Sequence, residues 1–246
     1  MADFTTIRAR TAGAQAARID EGLRAHMNKV YGTMSVGMLV TGAVAWAVGS
    51  ADTLLQVFRD PVTLQPNILG WVAMFAPLVF VFVIGGAVNR VSAAALQGLF
   101  YVFAALMGLS LAWIFAAFTG VSIAQTFLVT AIAFAALSLY GYTTKRDISG
   151  WGAFLMMGVV GLIVASIVNI FLGSPALAFA VSIIGLLIFA GLTAYDTQRI
   201  KVEYVQHASY GDTEWLGKSA ILGALNLYMN FINIFMFLLQ FMGNRE

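Results

Sequence analysis

The chain contains no cysteine. That excludes disulfides, thiolate metal sites, thiol nucleophiles and iron–sulfur clusters. Charge is scarce as well: 10% of the 246 residues are Asp, Glu, Lys or Arg, against about 25% in a soluble domain. No P-loop, dinucleotide fingerprint or GxSxG motif occurs. The two histidines, His26 and His207, lie outside the apolar segments. A Ser–His or two-aspartate hydrolase therefore lacks its parts, and a resident metal site lacks ordinary ligands. The reading is of a protein that is not an enzyme, needs no cofactor and has no nucleic-acid partner.

What the chain has in abundance is apolar length. Apolar residues make up 61% of it, and the mean hydropathy is +0.88. A spanning helix needs about 20 mostly apolar residues. Seven segments qualify: 30–48, 68–88, 94–118, 122–142, 152–172, 176–196 and 220–242. The expected class is all-α, a polytopic membrane protein with the lipid bilayer as its main solvent. Residues 1–29 read as a charged N-terminal segment and 30–243 as one seven-helix transmembrane domain. Charges run throughout 1–29 without an apolar core, so this stretch is not read as a cleavable signal. The longest connection, 197–219, precedes the last segment.

Basic residues set the orientation. With the N-terminus inside, the inner regions hold Arg8, Arg10, Arg18, Arg24, Lys29, Arg90, Lys145, Arg146, Arg199, Lys201 and Lys218. The outer regions hold only Arg59 and Arg245. Eleven against two places the N-terminus in the cytoplasm and, with seven spans, the C-terminus outside. The five tryptophans fall near segment ends, as an interfacial belt would.

Two polar features stand out inside the apolar segments. Asp196 is the one carboxylate within them, near the inner end of segment six, and Arg199 follows on the same helical face. Intramembrane ionisable residues are rare and mark functional sites. The plainer reading is an interfacial carboxylate paired with Arg199 and wetted by the cytoplasm. Asn226, Asn230 and Asn233 form a polar stripe at i, i+4 and i+7 on segment seven. Amides facing lipid would be unsatisfied, so segment seven is expected inside the bundle. The stripe serves either interhelical hydrogen bonding or a wet pathway. Arg90 lies at the inner end of segment two, on the same side as Asp196, where a salt bridge between them is geometrically allowed.

"AYDTQRI" at 194–200 and "LNLYMNFINIF" at 225–235 resemble the signature segments of the Bax inhibitor family, also called the transmembrane Bax inhibitor motif family. "GLRAHMNKVYGTM" at 22–34 resembles the entry to the first helix of its bacterial members. The resemblance implies six helices around a central seventh, in a bacterial inner membrane. It implies a pH-sensitive Ca²⁺ leak whose sensor is an aspartate on helix six paired with one on helix seven. An arginine at the end of helix two would help latch the closed state. Asp196 matches the first aspartate and Arg90 the arginine. The second aspartate is replaced here by Asn230, and an Asp–Asn pair has no like-charge coupling to make it titrate as a unit.

The expected pathway or gate residues are thus Asp196, Asn230, Arg90, Asn226, Asn233 and Arg199, with Asp196 as a transient Ca²⁺ ligand. Counting along the helices matches the depth of Asp196 better with Asn226, while the family pairing requires Asn230. The alternative, which the resemblance also permits, is a regulatory protein that binds other membrane proteins, such as a membrane-bound quality-control protease, through residues 2–29.

Overall fold

The computed structural model describes residues 3–60, 63 and 65–244, with side chains from residue 18 onward and not that of Ser209. Arg245 lies outside the described residues. The elements run α1 (Asp3–Gly49), α2 (Asp52–Phe58), α3 (Ile68–Ala87), α4 (Ala93–Leu111), α5 (Ile114–Ala117), α6 (Gly120–Thr143), α7 (Trp151–Leu172), α8 (Pro175–His207) and α9 (Thr213–Met242). A single 3₁₀ turn, Ala208–Tyr210, joins α8 to α9. Among the described residues there is no strand; an isolated bridge joins Arg59 and Pro66. Seven stretches are long and apolar enough to cross a membrane. This is an all-α polytopic membrane protein.

Helix starts follow local chemistry. Asn67, Ser92, Thr119, Ser174 and Asp212 each accept a backbone N–H from the first turn that follows, satisfying donors the helix cannot. Pro175 sits in the first turn of α8, where its missing N–H is harmless. Gly173 and Gly211 close turns at φ of 59° and 70°, a region that favours glycine.

Three helices are longer than hydropathy indicates. The first runs without interruption through residue 30, from Asp3 to Gly49. Helix α8 continues for about three turns beyond Asp196, and α9 begins seven residues before the apolar run, at Thr213. The expected long connection is therefore mostly helix. Hydropathy reports only what lipid requires; Arg, Lys, Glu and Gln are good helix formers and extend the helices past it. The third span shows the reverse, breaking between α4 and α5 near Ala112 and Trp113.

Helix α9 is central: more of it is buried than of any other span, and it packs on α1, α4, α6 and α8. Helices α3 and α7 form the flanks, with principal contacts to α4 and α8. The main apolar core gathers Phe100, Phe103, Leu227, Tyr228 and Leu239, all fully buried. Phe100 and Phe103 meet the Tyr228 ring edge-on, with centroids 5.6 and 5.7 Å away. Thr41 donates to the Ala104 carbonyl (2.8 Å), so its oxygen is left to accept from the Tyr228 hydroxyl (2.6 Å). A separate seam of Leu155, Leu162, Ile188 and Leu192 holds α7 to α8.

Close approach depends on glycine at the α6–α8 crossing. A Cβ on Gly141 would run into the Ala194 backbone carbonyl, which cannot move aside as a side chain can. Lipid-embedded helices associate through such backbone proximity. Gly141→Val should cost about 1–3 kcal/mol, read as a lower thermal unfolding midpoint in detergent. Gly161→Ala, where nothing stands within 4 Å of the new methyl, should leave the midpoint unchanged or raise it. Equal midpoints for the two variants would refute this packing.

Candidate functional site

The site lies where α8 and α9 run antiparallel. Their register is set by four contacts. The His207 ring stacks on Trp215 at 3.9 Å, which makes Trp215 a packing residue where the other tryptophans are more exposed. Ile200 covers Gly223, and Phe237 covers Gly185. Ser182 donates to Gln240 Oε1 at 2.6 Å. A straight continuation of this register sets Asn226 opposite Asp196. The hydrogen bond instead comes from Asn230, whose Nδ2 donates to Asp196 Oδ2 at 2.7 Å.

The direction of the side chains explains this. Each Cα–Cβ bond tilts toward the N-terminus of its own helix. In an antiparallel pair, residues offset by one turn therefore lean toward each other. Asp196 leans toward the level of Asn230, and Asn230 leans back. The depth mismatch found by counting along straight helices disappears.

Asp196 is 7% exposed and Asn230 4%. Among the buried described residues, Asp196 is the only carboxylate. Its two oxygens have different partners. Oδ2 takes the Asn230 amide, and Oδ1 lies 3.6 Å from Arg199 Nη1. Arg199 is shared: its Nε stands 3.4 Å from Glu203 Oε1, without hydrogen-bond geometry. The Arg199 side chain is 39% exposed, so solvent weakens both ion pairs. The amide bond is the stronger constraint, because hydrogen bonds to charged groups contribute about 1.5–3 kcal/mol.

The salt bridge that topology allows between Asp196 and Arg90 is not formed. Arg90 is exposed in the turn after α3, where its N–H bonds to the Ala87 carbonyl (2.8 Å). Among the described residues its side chain has no ion pair. Val88 and Asn89 line the same cavity as Arg199, but the Arg90 side chain is exposed, whereas Arg199 reaches the carboxylate from one turn along the same helix. The other stripe residues diverge. Asn226 faces a cavity, and Asn233 turns back to donate to the Met229 carbonyl at 2.8 Å.

That cavity, of about 450 Å³, opens at the base of the α8–α9 hairpin. Its charged lining is Arg199, Lys218, Glu203, Asp212 and Glu214, three carboxylates against two cations. Two of the carboxylates also serve the fold. Asp212 caps α9 through Trp215 N–H (2.9 Å), and Glu214 accepts the Ala93 N–H that opens α4 (2.7 Å). Further into the bundle the environment turns apolar. Phe231 packs against Phe127 and Phe134 with centroids 5.4 and 5.5 Å away. A small void of about 80 Å³ there is lined mainly by Phe127, Phe231, Ile232, Phe235 and neighbouring apolar groups. Among the described residues no cluster of three or more His, Cys, Asp or Glu could hold a metal ion.

One polar chain was not evident in the sequence. Thr197 donates to the Thr193 carbonyl (2.8 Å), so it accepts from Ser138 (3.0 Å), which in turn accepts from Tyr31 (2.6 Å). It ties α1, α6 and α8 together one residue from Asp196. The "TAYDT" spacing of Thr193 and Thr197 was its only sequence signal.

Residues 23–246 match the family described as inhibitor of apoptosis-promoting Bax1. The chain belongs to the Bax inhibitor family. It is 46% identical over 252 residues to a protein of Caulobacter vibrioides, covering 100% of each chain. It is 47% identical over 226 residues to the inner membrane protein YbhL of Escherichia coli K12, covering 92% of this chain and 94% of YbhL. A Rickettsia prowazekii protein, RP147, is 40% identical over 227 residues, covering 92% of both.

The geometry ranks the three expected partners. Asn230→Ala should lower stability by about 1–3 kcal/mol, because a buried carboxylate loses its donor. Asn226→Ala and Arg90→Ala should each stay within about 0.5 kcal/mol of wild type. Unfolding midpoints in one detergent measure all three; a loss for Asn226→Ala as large as for Asn230→Ala would contradict the observed pairing.

Proposed function

We propose that this protein is a cation leak pathway of a bacterial inner membrane, with Ca²⁺ as its cargo, held shut by the Asp196–Asn230 hydrogen bond. The observation that carries the reading is a buried carboxylate, Asp196, paired with Arg199 of the charged cavity and, through Asn230, adjoining the aromatic packing of Phe231. The excess of Lys and Arg at the cavity end supports a cytoplasmic N-terminus and an external C-terminus. The relative named an inner membrane protein supports the location.

The mechanism follows from the lining. The cavity carboxylates attract cations to its mouth. Ca²⁺ prefers six to eight oxygen ligands; Asp196, Glu203 and the Asn226 and Asn230 carbonyls would supply some of them, with water completing the shell. While Asn230 and Arg199 occupy the Asp196 oxygens, no carboxylate is free at the narrow end. The aromatic packing beyond then blocks a hydrated ion, since a dry constriction gates by excluding water. Opening requires the α8–α9 pair to part at this level. Among the described residues Arg90 forms no ion pair, so the proposed latch consists of Asp196, Asn230 and Arg199. The protein is proposed to act without catalysis.

A second reading is a regulatory protein that binds other membrane proteins, a membrane-bound protease among them. Its support is the length of α1, which begins well before the first candidate span and provides a helical arm outside it.

Flux into proteoliposomes tests the first reading. Wild type should leak Ca²⁺ above empty vesicles, and Asp196→Ala should change the rate by several-fold. Asn230→Asp should create pH dependence between about pH 6 and 8, because two facing carboxylates titrate as a coupled pair. Deleting residues 2–20 should leave flux intact. Wild type indistinguishable from empty vesicles, or from Asp196→Ala, would end the leak reading.

A further inference from the structure

A second cavity, of about 550 Å³, lies between α1 and α6. Its deep part is apolar, with Phe134, Ala135 and Leu139 on α6. Its mouth is at the basic end of the molecule, where Arg24 and Asn28 project from α1. From Phe134 to Tyr142 the groove spans about 12 Å along α6. Arg24, Asn28, Ala135 and Leu139 are all exposed, so the groove is open along the side that faces lipid.

The charge at the mouth has one sign. Arg24 forms no ion pair among the described residues, and no carboxylate lines the cavity; Asp20 and Glu21 lie outside it. A second cation stands beside the rim: Lys201 Nζ donates to the Tyr142 carbonyl (2.8 Å) and lies 5.2 Å from the centroid of that ring. Lys145 and Arg146 follow directly on the end of α6. An open apolar groove that ends at Arg24, a cation without an ion pair among the described residues, is complementary to one class of molecule.

We propose that this groove is a binding site for an anionic phospholipid of the leaflet at the basic end. One acyl chain lies along Phe134, Ala135 and Leu139, and the phosphate meets Arg24, with Asn28 as a further donor. Arginine is suited to this because its planar fork donates two hydrogen bonds to phosphate oxygens. The site adjoins the latch: Tyr31 and Ser138 line the groove, and their hydrogen-bonded chain ends on Thr197, next to Asp196. A bound lipid would thus bear on the α1–α6–α8 contact. The proposal does not depend on the leak reading, and its test measures lipid and no ion flux.

The full-length protein would be reconstituted into nanodiscs of equal parts phosphatidylglycerol and phosphatidylcholine. Native mass spectrometry would then count the lipids that remain bound. Wild type should retain phosphatidylglycerol in about five-fold excess, the factor expected for one basic residue near an anionic headgroup. Arg24→Gln, a change at an exposed side chain that leaves the fold intact, should bring the ratio close to one. Ala135→Trp should fill the groove and reduce the retained lipid of both kinds. Soluble glycerol phosphate, which has the headgroup chemistry and no chain, should not bind measurably. Equal retention of both lipids by wild type, an unchanged excess in Arg24→Gln, an unchanged amount of retained lipid in Ala135→Trp, or glycerol phosphate binding as well as the lipid would each overturn the proposal.

Discussion

A buried carboxylate inside a membrane bundle has to find hydrogen-bond donors within the protein, and much of this structure follows from how Asp196 finds them. Asp196 is buried, and an unpaired charge there would be very costly. Asn230 and Arg199 divide its two oxygens between them. One donor comes from the central helix and is buried; the other comes from the same helix and reaches solvent. The first joins α8 to α9, and the second connects that junction to the charged cavity. Whatever loosens the first bond must supply the carboxylate with another partner, and a hydrated cation is one.

The bond is held in place by packing on both sides of it. Gly141 lets α6 approach the backbone of α8 at Ala194, two residues from the carboxylate. Gly223 does the same for Ile200 on the opposite side of the hairpin. Tyr31, Ser138 and Thr197 add a second polar tie from α1 and α6. Beyond Asn230, Phe231 and Phe235 fill the centre with aromatic contacts and leave only a small apolar void. The polar latch and the dry zone are consecutive turns of one helix, so a movement of α9 would disturb both together.

The sequence revealed the class, the number of spans and the central place of α9, because lipid imposes simple rules. Apolar length marks a span, and amides cannot face hydrocarbon. It was less informative at the water-facing ends. Helix α8 was expected to stop at Asp196 and instead reaches His207, since hydropathy falls where charged helix formers begin. Gly211 and Asp212 carried the true turn signal. Asn226 and Asn230 could not be separated by counting, because the choice depends on the lean of side chains in an antiparallel pair. Arg90 and Arg199 are equivalent by topology, and only the structure shows that Arg199 is the one that pairs with Asp196. The Tyr31–Ser138–Thr197 chain joins three helices far apart in sequence, and the spacing of Thr193 and Thr197 was its only local signal.

The central claim is that the Asp196–Asn230 bond couples α8 to α9 and keeps the pathway shut. A double-mutant cycle tests it most directly, with Asp196→Ala, Asn230→Ala and the double variant compared for both unfolding midpoint and Ca²⁺ flux. The account predicts that the two substitutions are strongly non-additive, with a coupling of about 1 kcal/mol or more and single-variant fluxes close to that of the double variant. Additive losses of stability, or additive changes in flux, would mean that the two side chains act separately and would contradict it.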